Sequence, residues 1–248
     1  MPAIPCATRY GTLVIPPHDQ YVGESLKRYG AYCPAELNAW RPYVPDGGLV
    51  VEVGANIGGH TFALAECVGP DGGVWAIEAQ RGLFYMLCGS VALTGAKNVW
   101  PRWCAAGAER GIAHIPRLNY DMANNFGGLP ITESTDGDPV PMVPLDDMGF
   151  SHLAFLKIDV EGMELDVLLG AERLVAESRP VIVAECDRAD KFAPLLGWFL
   201  DHGYHPFWQC PLLGEAWPSV RSKNLLCLPS EKALPVPVGD GVKPIADQ

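Results

Sequence analysis

Glu52, Gly54, Asn56, Gly58, His60 and Thr61 all fall within the stretch LVVEVGANIGGHTFAL, residues 49–64, in which an apolar run, a glycine turn and a helix start follow in order. Leu49, Val50, Val51 and Val53 make an apolar, largely β-branched run of central-strand length, and Gly54 ends it where a Cβ would obstruct most. Gly58 and Gly59 let backbone approach a ligand closely. From Thr61 the apolar Phe62, Ala63 and Leu64 begin a helix whose first N–H groups lack partners within the helix, so an anionic group is favoured there. Asn56 stands where the dinucleotide fingerprint has its middle glycine; its side chain obstructs a pyrophosphate but can hydrogen-bond a small carboxylate. Glu52, at the strand's end, offers an acceptor to an ammonium group or to the turn's amides. The set suits an amino-acid zwitterion, such as that of S-adenosylmethionine, and its plainer alternative is a turn with only a structural task.

Further acids stand at the ends of three apolar runs. VWAIEAQ reads as a strand ending at Glu78, whose spacing from Gly54 fits the acid expected about 20 residues on in nucleoside-binding sheets. A carboxylate there can accept from both ribose hydroxyls, at about 1.5–3 kcal/mol for each charge-assisted bond. In LAFLKIDVEGMELDVLLGAERLV, residues Ala154 to Ile158 form a buried strand with Asp159 at its carboxyl end, Gly162 gives a turn, and Leu165, Leu168 and Leu169 mark a buried helical face. Glu161 and Glu164 read as first-turn acids favoured by the helix dipole. PVIVAECD is another strand, with Glu185 and Asp187 at its end. Ligands of open parallel sheets lie beyond the strands' carboxyl ends, so these acids share a side with Asn56. Asp159 is the first candidate to take a proton from, or orient, an attacking hydroxyl, with His60 and Glu185 behind it. Asp159 and Glu185, with Asp187, can hold Mg²⁺ through hard oxygens, although acids at neighbouring strand ends also arise without metal.

The elements that must position these residues follow a rhythm. From Gly48 onward strands alternate with helices, which predicts an α/β fold with a mostly parallel sheet covered on both faces. Residues 1–45 precede it as an N-terminal cap, with GTLVIP a short strand, YVGESLKRYG a helix closed by Gly30 and PAELNAWRPY a second helix led by proline. Tyr21, Tyr29 and Glu36 can reach over a cofactor from such a cap, although packing is the plainer role for the tyrosines. NVWPRWCAAG supplies the third strand. Residues 107–150 then break the rhythm and read as a hairpin carrying a substrate lid. In it Asn124 and Asn125 either form turns or contact a polyol or the cofactor, and His114 packs. HPFWQC and NLLCLP read as a closing antiparallel pair. Residues 46–230 thus form the cofactor-binding unit, and the Pro- and Gly-rich tail, 231–248, reads as poorly ordered.

With 248 residues, 48% of them hydrophobic and 19% charged, the chain can build one large core. A net charge of -11 argues against broad contact with nucleic acid or an anionic membrane, both of which want a basic face. No apolar run reaches membrane-spanning length and MPAIPCATRY lacks a leader's basic and apolar regions, so a cytoplasmic enzyme is the expectation. The eight cysteines are scattered without a CxxC pair and read as reduced, mostly buried small hydrophobes.

VVEVGANIGGHT, the acid of IEAQ and LKIDVEGMELDVLLGA together resemble the FkbM-type S-adenosylmethionine-dependent O-methyltransferases. The likeness runs from about residue 10 to 230. It implies a class I methyltransferase fold, a Rossmann-like sheet of order 3-2-1-4-5-7-6 with an antiparallel seventh strand and a lid between the third and fourth. It also implies methylation of a hydroxyl on a small molecule or glycan, such as a sugar or polyketide. Matched by position, Glu52, Gly54, Asn56 and Gly58 fall in the methionine-binding turn, Glu78 at the ribose, and Asp159 and Glu161 in the signature of the reaction-side strand; with Ala55, Thr61 and Ala79 these are the expected cofactor-binding residues. Glu52 stands where the family more often has aspartate. Two alternatives remain. A nicotinamide oxidoreductase shares the architecture but wants glycine at Asn56, and a binding-only relative would hold S-adenosylmethionine without turnover.

Overall fold

The computed structural model describes residues 2–128, 137–211, 223–237 and 242–245. The chain opens with an antiparallel hairpin, β1 (Ile4–Thr8) and β2 (Gly11–Ile15), then α1 (Val22–Tyr29) and α2 (Pro34–Trp40). Alternation begins with β3 (Leu49–Val53), α3 (Thr61–Val68), β4 (Gly73–Glu78), α4 (Arg81–Thr94) and β5 (Val99–Trp103). The short β6 (Ala105–Ala106) and the hairpin of β7 (Gly111–Ile115) and β8 (Asp138–Val143) interrupt it. It resumes with β9 (Leu153–Ile158), α5 (Glu164–Leu169), α6 (Glu172–Ser178), β10 (Val181–Glu185) and α7 (Ala189–Asp201). β11 (Tyr204–Gln209), β12 (Asn224–Pro229) and β13 (Val242–Pro244) complete the described chain.

The main sheet runs β13-β11-β12-β10-β9-β3-β4-β5. β10, β9, β3, β4 and β5 are parallel, and β12 is antiparallel to both neighbours. Leaving β13 aside, this is the order 3-2-1-4-5-7-6 that the resemblance implies. Alternate residues of each central strand enter different layers. Val50 and Phe155 pack with the cap, α3 and α4, whereas Val51, Val53, Leu156 and Ile158 pack under α5, α6 and α7. Burial on both faces accounts for the apolar runs of β3 and β9, each interrupted by one charged residue, Glu52 and Lys157.

The cap is fastened to the sheet's helical layer, since the Val14 amide of β2 donates to Ser90 Oγ on α4 at 2.8 Å. α1 ends at Gly30 with a left-handed φ of 66°, as its glycine predicts. The tail departs from expectation over its described residues. β13 pairs with β11, and the Tyr43 hydroxyl donates to the Pro235 carbonyl at 2.7 Å. An unpaired edge of β11 accounts for this, because it offers backbone donors and acceptors to any extended segment in reach. No disulfide joins any of the eight cysteines, all of which lie among the described residues. Among the described residues no helix is long and apolar enough to cross a membrane.

Candidate active site

Gly54 brings the ends of β3 and β9 together. Its φ is +80°, and a Cβ there would lie 1.8 Å from the carbonyl oxygen of Asp159, so only glycine lets the two strand exits pass. The turn then consumes its own amides. Gly54 and Ala55 both donate to the Ile77 carbonyl, Asn56 donates to Glu78 Oε2 at 2.7 Å, and Gly58 donates to the Ala55 carbonyl. Asn56 adopts φ 54° and its Oδ1 accepts the Ile57 amide at 2.7 Å, so this oxygen shapes the turn rather than facing a ligand. Gly58 also departs from expectation, since a Cβ there would strike Phe62 and Leu87, which makes its role packing. Glu52, Gly54, Ala55, Asn56, Gly59 and His60 line the cavity, as Glu78 and Ala79 do, whereas Gly58 and Thr61 are not among its lining residues.

Glu78 ends β4, buried, with the Gln80 amide on Oε1 and the Asn56 amide on Oε2, both at 2.7 Å. Burial pushes its carboxyl up to about 7, against the pull of those amides and of Lys157.

Glu52 is not open to a ligand's ammonium in the way its position suggests. In the parallel register it sits opposite Lys157, whose Nζ lies 3.3 Å from Glu52 Oε1, and Thr61 Oγ1 donates to Oε2 at 2.5 Å. The Lys157 ammonium also reaches Asp159 Oδ2 at 3.2 Å and the Gly54 carbonyl at 3.5 Å. Burial alone would lower its pKa, yet Asp159 and Glu52 outweigh that and hold it above the ordinary value. This hub escapes a motif reading. The available signal was a charged residue inside an apolar strand, two positions before Asp159 and on its face.

The cavity holds about 650 Å³, and among the described residues seven carboxylate side chains line it against three of lysine or arginine. Asp159, Glu161 and Glu185 each place an oxygen within 4.8 Å of the others. The expected third acid, Asp187, lines the cavity outside this group, its Oδ1 3.7 Å from Arg188 Nε. Glu161 takes its place because it precedes α5 rather than joining its first turn. Its φ of 58°, followed by 104° at Gly162, folds the chain back, and Glu164 Oε1 fastens that bend by accepting the Val160 and Gly162 amides. Burial, then Asp159, push Glu161 up to about 7 although Arg188 Nη2 lies 3.2 Å from its Oε2. Burial, then Asp159 and Glu161, raise Glu185 well above the usual carboxylate range.

His60 lines the cavity at 3% exposure, its ring 5.0 Å from that of Tyr32 and 4.7 Å from that of Trp40. Its Nε2 is 3.2 Å from Glu36 Oε2 but makes no aligned hydrogen bond, so the ring faces the cap. Glu36 and Tyr21 do reach the cavity from the cap, and Tyr29 is not among the lining residues. The insertion folds against the cap as well. The Asn124 carbonyl accepts the Gln20 amide, Gln80 Nε2 donates to the Phe126 carbonyl at 2.6 Å, and Tyr120 stacks on buried Phe126. Asn125 lines the cavity, whereas Asn124 serves the docking. His114 sits within β7, as its strand-like setting predicts. The rest of the expected lid, residues 129–136, lies outside the described residues.

The methyltransferase FkbM domain matches residues 52–206. No curated protein matches the sequence. Among solved structures, the methyltransferase FkbM of Methylobacillus flagellatus KT is 20% identical over 73% of this chain and 44% of its own, with a TM-score of 0.53. The present chain therefore spans less than half of that protein. The SAM-dependent O-methyltransferase of Thermotoga maritima is 13% identical over 91% of this chain and 77% of its own, at a TM-score of 0.51. Cofactor-bound Rv0187 from MTB is 17% identical over 80% of this chain and 81% of its own, also at 0.51. At such identities the likeness is one of fold.

Proposed function

The chain belongs to the FkbM methyltransferase family, and from that membership we propose that it transfers a methyl group from S-adenosylmethionine to a hydroxyl of a small molecule or glycan. The observation that carries the reading is the single cavity onto which Asn56, Glu78 and Asp159 all open. The residues present fit the cofactor. The surplus of carboxylates favours a sulfonium and an ammonium, and Glu78 keeps acceptor capacity for ribose hydroxyls beyond its two amides. On this reading Gly54, Ala55, Asn56 and Gly59, which line the cavity at the turn, meet the methionine end. When bound, S-adenosylmethionine supplies a methyl already activated by sulfur, whose C–S electron pair leaves with the sulfur.

What remains for the protein is alignment and one proton. Holding the reacting atoms in a near-attack arrangement can supply about 7–11 kcal/mol. Asp159, the more open of the acids paired with Lys157, orients the acceptor hydroxyl and takes its proton, with Glu185 beside it. The cap and the insertion dock on one another beside this cavity, the Gln20 amide donating to the Asn124 carbonyl. Calorimetric titration of the purified chain with S-adenosylmethionine and, in parallel, with nicotinamide dinucleotides tests the reading. Binding of the former alone is expected, followed by transfer of labelled methyl to a member of a sugar and macrolide panel. Asp159→Asn should cut turnover about 100-fold or more while leaving S-adenosylmethionine affinity nearly unchanged. Equal turnover would remove Asp159 from the mechanism, and nicotinamide binding would overturn the family-based activity.

A further inference from the structure

We propose that Asp159, Glu161 and Glu185 bind one hard divalent cation, of the Mg²⁺ or Mn²⁺ kind, at the acceptor side of the cavity. A cation central to three oxygens no more than 4.8 Å apart lies within about 2.8 Å of each, so small side-chain shifts reach Mg²⁺ or Ca²⁺ bonding distances. Every donor is a carboxylate oxygen, and no histidine or cysteine belongs to the group, which favours hard ions over zinc or copper.

The second observation is Glu185 itself. Its Oε2 is shut off from solvent and has no hydrogen-bond partner among the described residues, although it belongs to a carboxylate at the end of a buried strand. Leaving such an oxygen unmet is costly, because it has lost its water and gained no donor in exchange. A cation among the three acids would give the Glu185 carboxylate a partner. The neighbouring cations do not fill this role, because Lys157 engages Asp159 and Arg188 engages Glu161, each at 3.2 Å. The bend that delivers Glu161 places a non-glycine residue at φ 58°, a conformation that has to be held by its surroundings. Asp159 and Glu161 stay partly open, at 37% and 18% side-chain exposure, which leaves the site a route to solvent.

The consequence, though not the site, rests on the methyl-transfer reading. An acceptor hydroxyl bound to the ion would become more acidic, so its proton would pass more readily to a neighbouring carboxylate or to water reaching the site, and the attacking oxygen would gain negative charge. The site can be tested without activity by titrating Mn²⁺ into the purified full chain and following free Mn²⁺ by electron paramagnetic resonance. One saturable site is expected, emptied by excess Mg²⁺. Glu161→Gln and Glu185→Gln should each weaken it about tenfold or more, whereas Asp187→Asn should not. Both ligand variants exchange a carboxylate for an isosteric amide, and retained S-adenosylmethionine binding by calorimetry shows that they fold. Absence of saturable Mn²⁺ binding, or affinity that falls in Asp187→Asn but not in the two glutamine variants, overturns the proposal. Mn²⁺ binding without S-adenosylmethionine binding would instead sink the methyl-transfer reading and leave the cation site standing.

Discussion

Glu78 joins the turn after β3 to the strand that follows, and its protonation couples that junction to pH. Its folded-state pKa is raised, so between its ordinary value near 4.5 and about 7 the folded chain holds a proton that the unfolded chain has released. Stability from this group is therefore full below the ordinary value and declines as pH rises to about 7, by about 3 kcal/mol in total. The cofactor reading turns this around, because ribose hydroxyls need the ionised form as acceptor. Affinity for S-adenosylmethionine is expected to climb as pH rises through about 7 and to level off above it. In Glu78→Gln the climb should vanish and affinity at high pH should drop by about tenfold or more, two charge-assisted bonds having been weakened. Calorimetric titrations of both proteins from pH 6 to 9 check this, and parallel slopes would assign the titration to another group.

At the scale of elements, β3 and β9 act as a pair, and each was legible to a different depth. Their strand character, the glycine exit of β3 and the acid at the end of β9 followed from apolar runs broken by single residues of special type. The pairing of Glu52 with Lys157 did not, because registers between strands distant in sequence are fixed by packing that one strand's pattern does not contain. Glu161 was misplaced for a related reason. Its direction depends on a left-handed bend, and side chains other than glycine, asparagine or aspartate seldom announce one. The pair has a measurable weight. Lys157→Met keeps most of the volume but leaves the Glu52 carboxylate, 1% exposed, without its cation. Breaking one side of a buried ion pair costs about 3–5 kcal/mol, so urea unfolding of Lys157→Met should show a loss of that size. Lys157→Arg, which preserves the charge, should lose less. A methionine variant as stable as the parent would show that the hub contributes nothing net.

Over the whole molecule, the parts least visible in the sequence are those that join its two ends. β1 lies in a stretch without strand periodicity, and β13 in a proline-rich tail, yet both are placed by partners that offer unpaired backbone groups. The same end-to-end logic roofs the cavity. Gln209, on β11 and fully buried, accepts from Trp40 Nε1 at 2.7 Å and donates to the Glu36 carbonyl at 3.2 Å. Asn224, on β12, donates to Glu36 Oε1 at 2.8 Å. Through these bonds α2, which carries Glu36 and Trp40 over His60, is held by strands some 170 residues further along the chain. Gln209→Ala removes both bonds and strands an indole N–H and a carbonyl away from water, which at about 1–3 kcal/mol each predicts a loss of about 2–5 kcal/mol in chemical denaturation. Because the freed helix forms one wall of the cavity, the same variant should release S-adenosylmethionine faster while associating at an unaltered rate, readable by stopped-flow displacement. A variant that unfolds within about 0.5 kcal/mol of the parent and releases the cofactor no faster would mean that α2 is held by its apolar contacts alone.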